Sequence, residues 1–218
     1  MEVPPCFYTD KYYLISGGYD EDRNHLDSTE LWDGERWSSH DPLPETLHSH
    51  CLVRLNNTHV FLTGGHSSRY NGYSRASYFY SKATGFQRAP DMRGRRRHHR
   101  CGLHDGRYVI VAGGSGDVFV AGGGDLYEDV WITSSSSECF DLETGTWYKG
   151  PSVDTFDFGQ HLVSWGSHTY CIGWKKIWEF VKTGHVWEWV EVAEMETQRQ
   201  HETFQAFLVS AQDCQDWQ

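Results

Sequence analysis

The densest chemistry in the chain is Arg93-Gly94-Arg95-Arg96-Arg97-His98-His99-Arg100. Five arginines fall within eight residues of a protein that has only 19 lysines and arginines. Guanidinium groups fork onto carboxylates and phosphates in bidentate geometry. The stretch therefore implies an anionic ligand, most simply an acidic peptide segment. Two other readings stand beside it: a solvated basic loop, or neutralisation by Asp117, Asp125, Glu128 and Asp129 of the same chain. A second stretch, His66–Arg75, adds Arg69, Tyr70, Tyr73 and Arg75, a composition suited to contact rather than packing. The candidate ligand set is thus Arg93, Arg95, Arg96, Arg97, Arg100, Arg69, Tyr70, Tyr73 and Arg75.

The histidines invite a metal. His48 and His50 are two apart, and on a strand such residues share a face. Yet histidine recurs at matching places as His50, His99, His161 and His201. A side chain repeated at one place in every unit reads as an element of the scaffold, so no metal and no cofactor is expected. There is no Ser/His/Asp order, no nucleophile elbow and no supported acidic pair. The glycines Gly122-Gly123-Gly124 lack the lysine of a phosphate-cradling loop. A non-enzymatic binding module is the expected class.

These residues are positioned by a repeat. Tyr108–Ala112 runs into Gly113-Gly114, a β-branched strand closed by a glycine pair. The design occurs earlier as Tyr13–Ser16 before Gly17-Gly18 and as Val60–Thr63 before Gly64-Gly65, with a worn copy in Thr169–Trp174. The glycine pairs are 47 and 49 residues apart, a period that marks stacked units. Each unit continues to a turn and then an aromatic residue: Trp37, Phe86, Trp147 and Trp187. A second diglycine strand, Val118–Ala121 before Gly122-Gly123, competes with Gly113 for the third unit. The spacing from Cys101 favours Gly113.

A period of about fifty residues, four short strands, a diglycine after the second and paired aromatics on the last two resembles the kelch repeat of β-propellers. The resemblance implies an all-β kelch-type propeller of four-stranded antiparallel blades. The blades would be about 3–44, 47–92, 95–153 and 157–195, with an extra strand at 204–209 and a polar tail at 210–218. That is fewer blades than the family's rings normally have. The implied object is a partial or small propeller, completed by missing sequence or self-association. By the same resemblance Arg96 matches the family's common crossover arginine and His99 its common histidine. The crossover and the loop after the diglycine would line one face around a channel. The family includes copper-radical oxidases and sugar epimerases, so a fragment of a carbohydrate-active enzyme is the alternative function.

Composition sets wider bounds. A net charge of −11 argues against a nucleic-acid surface, and no apolar run is long enough for a membrane helix. The expected partner is a protein or peptide. Compartment stays open: the start shows no signal-peptide pattern, while six cysteines and the sequon Asn56-Asn57-Thr58 suit an extracellular protein. Cys51 and Cys101, at the heads of inner strands, are expected to be equivalent buried thiols, with a disulfide as the rival reading.

Overall fold

The structure, a computed structural model, describes residues 7–9, 12–68, 72–116, 135–152, 161–173, 175–183 and 186–196. All of its regular elements are β-strands. Four four-stranded antiparallel sheets follow one another along the chain. The first holds Phe7–Thr9, Tyr12–Ser16, Thr29–Trp32 and Trp37–His40; the second Cys51–Arg54, His59–Thr63, Ser77–Ser81 and Gly85–Ala89. The third holds Arg100–His104, Tyr108–Ala112, Ser137–Asp141 and Thr146–Lys149; the fourth His161–Trp165, His168–Ile172, Lys176–Thr183 and Val186–Glu194. Strand order follows chain order; short turns join the first two strands of each sheet, and longer loops lead from the second strand to the third in the first three sheets. The opening strand of each sheet touches the opening strand of the next.

The glycine pairs end the second strand of the first three sheets, and all six residues take left-handed φ, between 59° and 102°. Only glycine enters that region without cost. The turn also brings backbone from the next unit very close. A Cβ on Gly17 would lie 2.2 Å from the Leu47 carbonyl oxygen, and one on Gly64 would lie 2.5 Å from that of Arg96. The second glycine of the first two pairs then donates its N–H across the gap, Gly18 to Leu47 O at 2.8 Å and Gly65 to Arg96 O at 2.9 Å. Tyr108–Ala112 pairs with both neighbours in the third sheet, so Gly113 sets that register. Residues 117–134, with the second diglycine strand, and residues 197–218, with the expected extra strand, lie outside the described residues.

The core is aromatic because flat rings fill the wedge between adjacent sheets. Phe61 of the second sheet stacks on Phe140 of the third at 5.0 Å and 14°. Trp147 closes over both and donates its indole N–H to Pro90 O at 2.8 Å, in the preceding unit. Phe86 plays the matching part against Tyr80, whereas Trp37, on the outer strand of the first sheet, is exposed. The fourth unit corrects the sequence reading. Phe180 pairs in register with Trp189, as Phe140 does with Trp147. Trp189 therefore holds the repeat position, and Trp187 stacks on Phe180 from further along a lengthened hairpin.

The cysteines are also not equivalent. Cys51 pairs in register with Thr63 and Arg100 with Ala112, the residues just before the glycine pairs. Cys101 therefore sits one residue further on than Cys51. In a strand, a one-residue offset reverses the face a side chain takes. That reversal lets the two sulfurs meet between neighbouring sheets, and Cys51–Cys101 is a disulfide with a sequence separation of 50. Cys139 and Cys171 are buried outside any disulfide, and burial pushes the Cys139 thiol up to about 12. Changing Cys51 and Cys101 together to serine should cost about 2–4 kcal/mol, since the bridge restricts a long loop of the unfolded chain. Urea denaturation with and without reductant checks this, and coincident curves for the wild-type protein would refute it.

Candidate binding face and histidine cluster

The crossovers meet the turns beyond the glycine pairs in small ladders of their own. Leu47–His48 pairs with His66–Ser67, which pairs in turn with Gly72–Tyr73. Arg96–Arg97 pairs with Ser115–Gly116 in the next unit, and Tyr19 bridges His25 in the first. Three repeated positions thus line one surface. Tyr19, His66 and Ser115 follow the glycine pairs, His25 and Tyr73 stand across from the first two, and His48 and Arg97 come from the crossovers. A left-handed residue follows each crossover position, Ser49 and His98 both at φ 54°. This turn separates His48 from His50, so the two do not share a strand face.

The first set brings three imidazoles together. Ring centroids of His25 and His48 lie 4.9 Å apart, of His48 and His66 4.8 Å, and of His25 and His66 5.7 Å. Tyr19 places its hydroxyl 2.7 Å from His48 Nε2, and Ser49 Oγ lies 2.9 Å from His48 Nδ1. With the phenol donating, Nδ1 carries the proton and the Nε2 lone pair accepts from Tyr19. The Nδ1 atoms of His25 and His66 are buried with no hydrogen-bond partner among the described residues. His48 is only 4% exposed, and burial, then His66, His25, Arg97 and His98, lowers it to about 3. His66 is lowered by burial, then by Arg97 and His25. Both are neutral at neutral pH.

The arginines divide into different roles. Arg96 is buried and belongs to the interior, against the expectation that it faces ligand. Its Nη2 pairs with Glu138 Oε1 at 2.8 Å, and Nη1 donates to the carbonyls of Gly113 and Ser136 at 3.0 and 3.2 Å. The internal carboxylate is thus Glu138, which the sequence reading did not consider. Arg97 is half-buried, its guanidinium 4.7 Å from the Tyr73 ring centroid. Arg95 is exposed and donates to Tyr73 O at 3.2 Å. Arg93 and Arg100 are exposed, while Arg75 is ion-paired with Asp91 at 3.2 Å. Arg69, Tyr70 and the acidic residues Asp117, Asp125, Glu128 and Asp129 lie outside the described residues.

No family model and no curated protein matches the chain. Among solved structures it is similar to one titled "Structure of YjhT", with a TM-score of 0.63 at 16% identity over 91% of this chain and 68% of that one. The likeness is one of fold.

Two of the four repeat histidines make matching contacts, to side-chain hydroxyls rather than to the expected backbone. His50 Nε2 lies 3.1 Å from Ser16 Oγ and His99 Nε2 lies 2.9 Å from Thr63 Oγ1. Each tethers a unit to the strand end before its predecessor's glycine pair. His161 breaks the series: it pairs with Ile172 and so matches Cys51 and Arg100, one residue past His50 and His99. The preceding unit ends its second strand in Ala112, which has no hydroxyl to hold. His201 lies outside the described residues. The sequence reading missed His25 and His66. Their proximity to His48 comes from the strand pairing and ring contacts, which the sequence does not signal.

Proposed function

We propose that this chain is a kelch-type propeller scaffold, partial or small, that binds a protein partner through an acidic segment. Support for the architecture comes from four successive antiparallel sheets, left-handed glycine pairs after three of the second strands, and opening strands that lie side by side. The observation that carries the binding reading is the convergence of Arg95 and Arg97 on Tyr73. The Tyr73 ring braces the Arg97 guanidinium, so less freedom is lost when it forks onto a carboxylate. Arg93 and Arg100 extend the basic character of this stretch in a chain of net charge −11. Arg96 is excluded from the ligand set by its internal pair.

Titration of a glutamate-rich peptide by fluorescence anisotropy tests the proposal. Arg97→Ala should weaken binding about tenfold or more, in line with the roughly 1.5–3 kcal/mol of a charge-assisted bond. Affinity should also fall as salt rises, since exposed charges are screened over about 8 Å at physiological ionic strength. Binding unchanged in both Arg95→Ala and Arg97→Ala would move the ligand site elsewhere.

A further inference from the structure

We propose that His25, His48 and His66 form a site for a divalent transition ion of the zinc class, independent of the peptide-binding reading. One potential ligand nitrogen from each of these residues lies within 4.8 Å of the others. Zinc–imidazole bonds of about 2.0–2.1 Å in a tetrahedron would set the nitrogens roughly 3.4 Å apart. Rotation of His25 and His66, both only half-buried, can supply that closure. A purely structural cluster would normally satisfy its ring nitrogens. Here the buried Nδ1 atoms of His25 and His66 have no partner among the described residues. His48 carries support of the kind metal-bound histidines use: Ser49 Oγ lies 2.9 Å from Nδ1, where accepting that N–H leaves Nε2 as the lone-pair donor. Tyr19 now caps that donor and would give way to the ion or join it.

The donor set also defines which ion. Three imidazoles with no carboxylate or thiolate among them suit zinc, copper(II) or nickel, and offer nothing to calcium or magnesium, which require oxygen. Three neutral ligands leave the ion's charge uncompensated, and Arg97 stands close enough to act on His48 and His66. The open position therefore selects an anion, a hydroxide or a carboxylate. Tyr19, nearly half exposed, marks the side from which the ion and its anion enter.

The test is zinc alone, titrated into the whole chain against a chromophoric chelator, with cobalt(II) as the spectroscopic probe. The expected result is one zinc per chain, unaffected by excess magnesium, with visible cobalt bands of tetrahedral type. His25→Gln and His66→Gln should each lower zinc affinity at least tenfold and abolish those bands, with unfolding midpoints close to wild type. Ser49→Ala should lower affinity about tenfold through the His48 ring. His59→Gln, at the exposed start of the strand His59–Thr63 and outside the cluster, should change nothing. His48 is too deeply buried to decide the matter, since its variants can fail to fold. Absence of stoichiometric binding at micromolar zinc would overturn the proposal. So would binding that survives both the His25 and His66 variants, because the ion would then sit on other histidines or cysteines.

Discussion

Arg96→Ala is expected to lose about 3–5 kcal/mol of stability, the cost of removing one partner from a buried ion pair. Both side chains are almost sealed from water, 3% and 4% exposed. Glu138 also accepts the backbone N–H groups of Arg93 at 2.6 Å and Gly94 at 2.9 Å. With the guanidinium gone, the carboxylate would keep those two donors and lose its countercharge. Arg96 further ties the crossover to the carbonyl of Gly113 and to both Ser136 O and Ser136 Oγ. One side chain thus holds a crossover, a strand end and the start of the third strand. Urea denaturation at neutral pH measures the loss, and a change below about 1 kcal/mol would return Arg96 to the ligand set. Arg96→Met with Glu138→Leu removes the unpaired charge but strands the Arg93 and Gly94 N–H groups, so it should recover only part of the loss. The preceding unit joins its crossover to its third strand with different chemistry, from Glu45, two residues before the Leu47 that matches Arg96. There Glu45 of the crossover accepts the hydroxyls of Tyr78 and Ser67, and Tyr78 stands where Glu138 does in the next sheet.

The strands and the glycine turns were legible in the sequence, and the meeting of crossovers with post-glycine turns was implied by the family resemblance alone. The strands and glycine turns depend on local rules, alternation and left-handed φ, that a repeat states several times over. What misled was a shift of one residue. Cys101 and His161 each sit one place later than the residues they seem to match, and in a strand one place is the other face. That offset turned two apparent thiols into a disulfide and removed His161 from the tether series. The arginine run misled differently, because adjacent side chains on the Arg96–Arg97 ladder point opposite ways. Arg96 goes inward to Glu138 and Arg97 out to Tyr73, a split that composition does not express. The histidine cluster was hidden because its members come from a loop of the first unit and the crossover and post-glycine turn of the second. None is near another in sequence, and only the pairing of His48 with His66 and the ring contacts of His25 join them.

Stability should fall as the pH drops from about 6.5 towards 4, through the buried histidines that tether the units. The ordinary imidazole takes up its proton near 6.5, and burial lowers His50 to about 4. His99 is lowered well below its ordinary value by burial, then by Arg96, Arg100, His50 and His98. Between those limits only the unfolded chain binds the proton, so acid draws the equilibrium towards unfolding. The stabilisation is complete above about 6.5 and is lost as the pH approaches the folded value. For His50, which is 4% exposed, the shift corresponds to roughly 3 kcal/mol at about 1.4 kcal/mol per pH unit, and His99 adds to it. The carboxylates act in a lower window. Asp141, lowered first by its hydrogen bond with Arg107, is lost only once the pH falls below the ordinary aspartate value of 3.8. Unfolding free energies measured by urea at pH 7 and pH 4.5 therefore report chiefly on the lowered histidines, His48 among them, and a variant singles out His50. His50→Gln, whose amide can still reach Ser16 Oγ, removes one titrating group and should flatten the slope between those two pH values. If that slope is the same in wild type and variant, His50 is not held neutral by the fold, and the tether to Ser16 does not work as described.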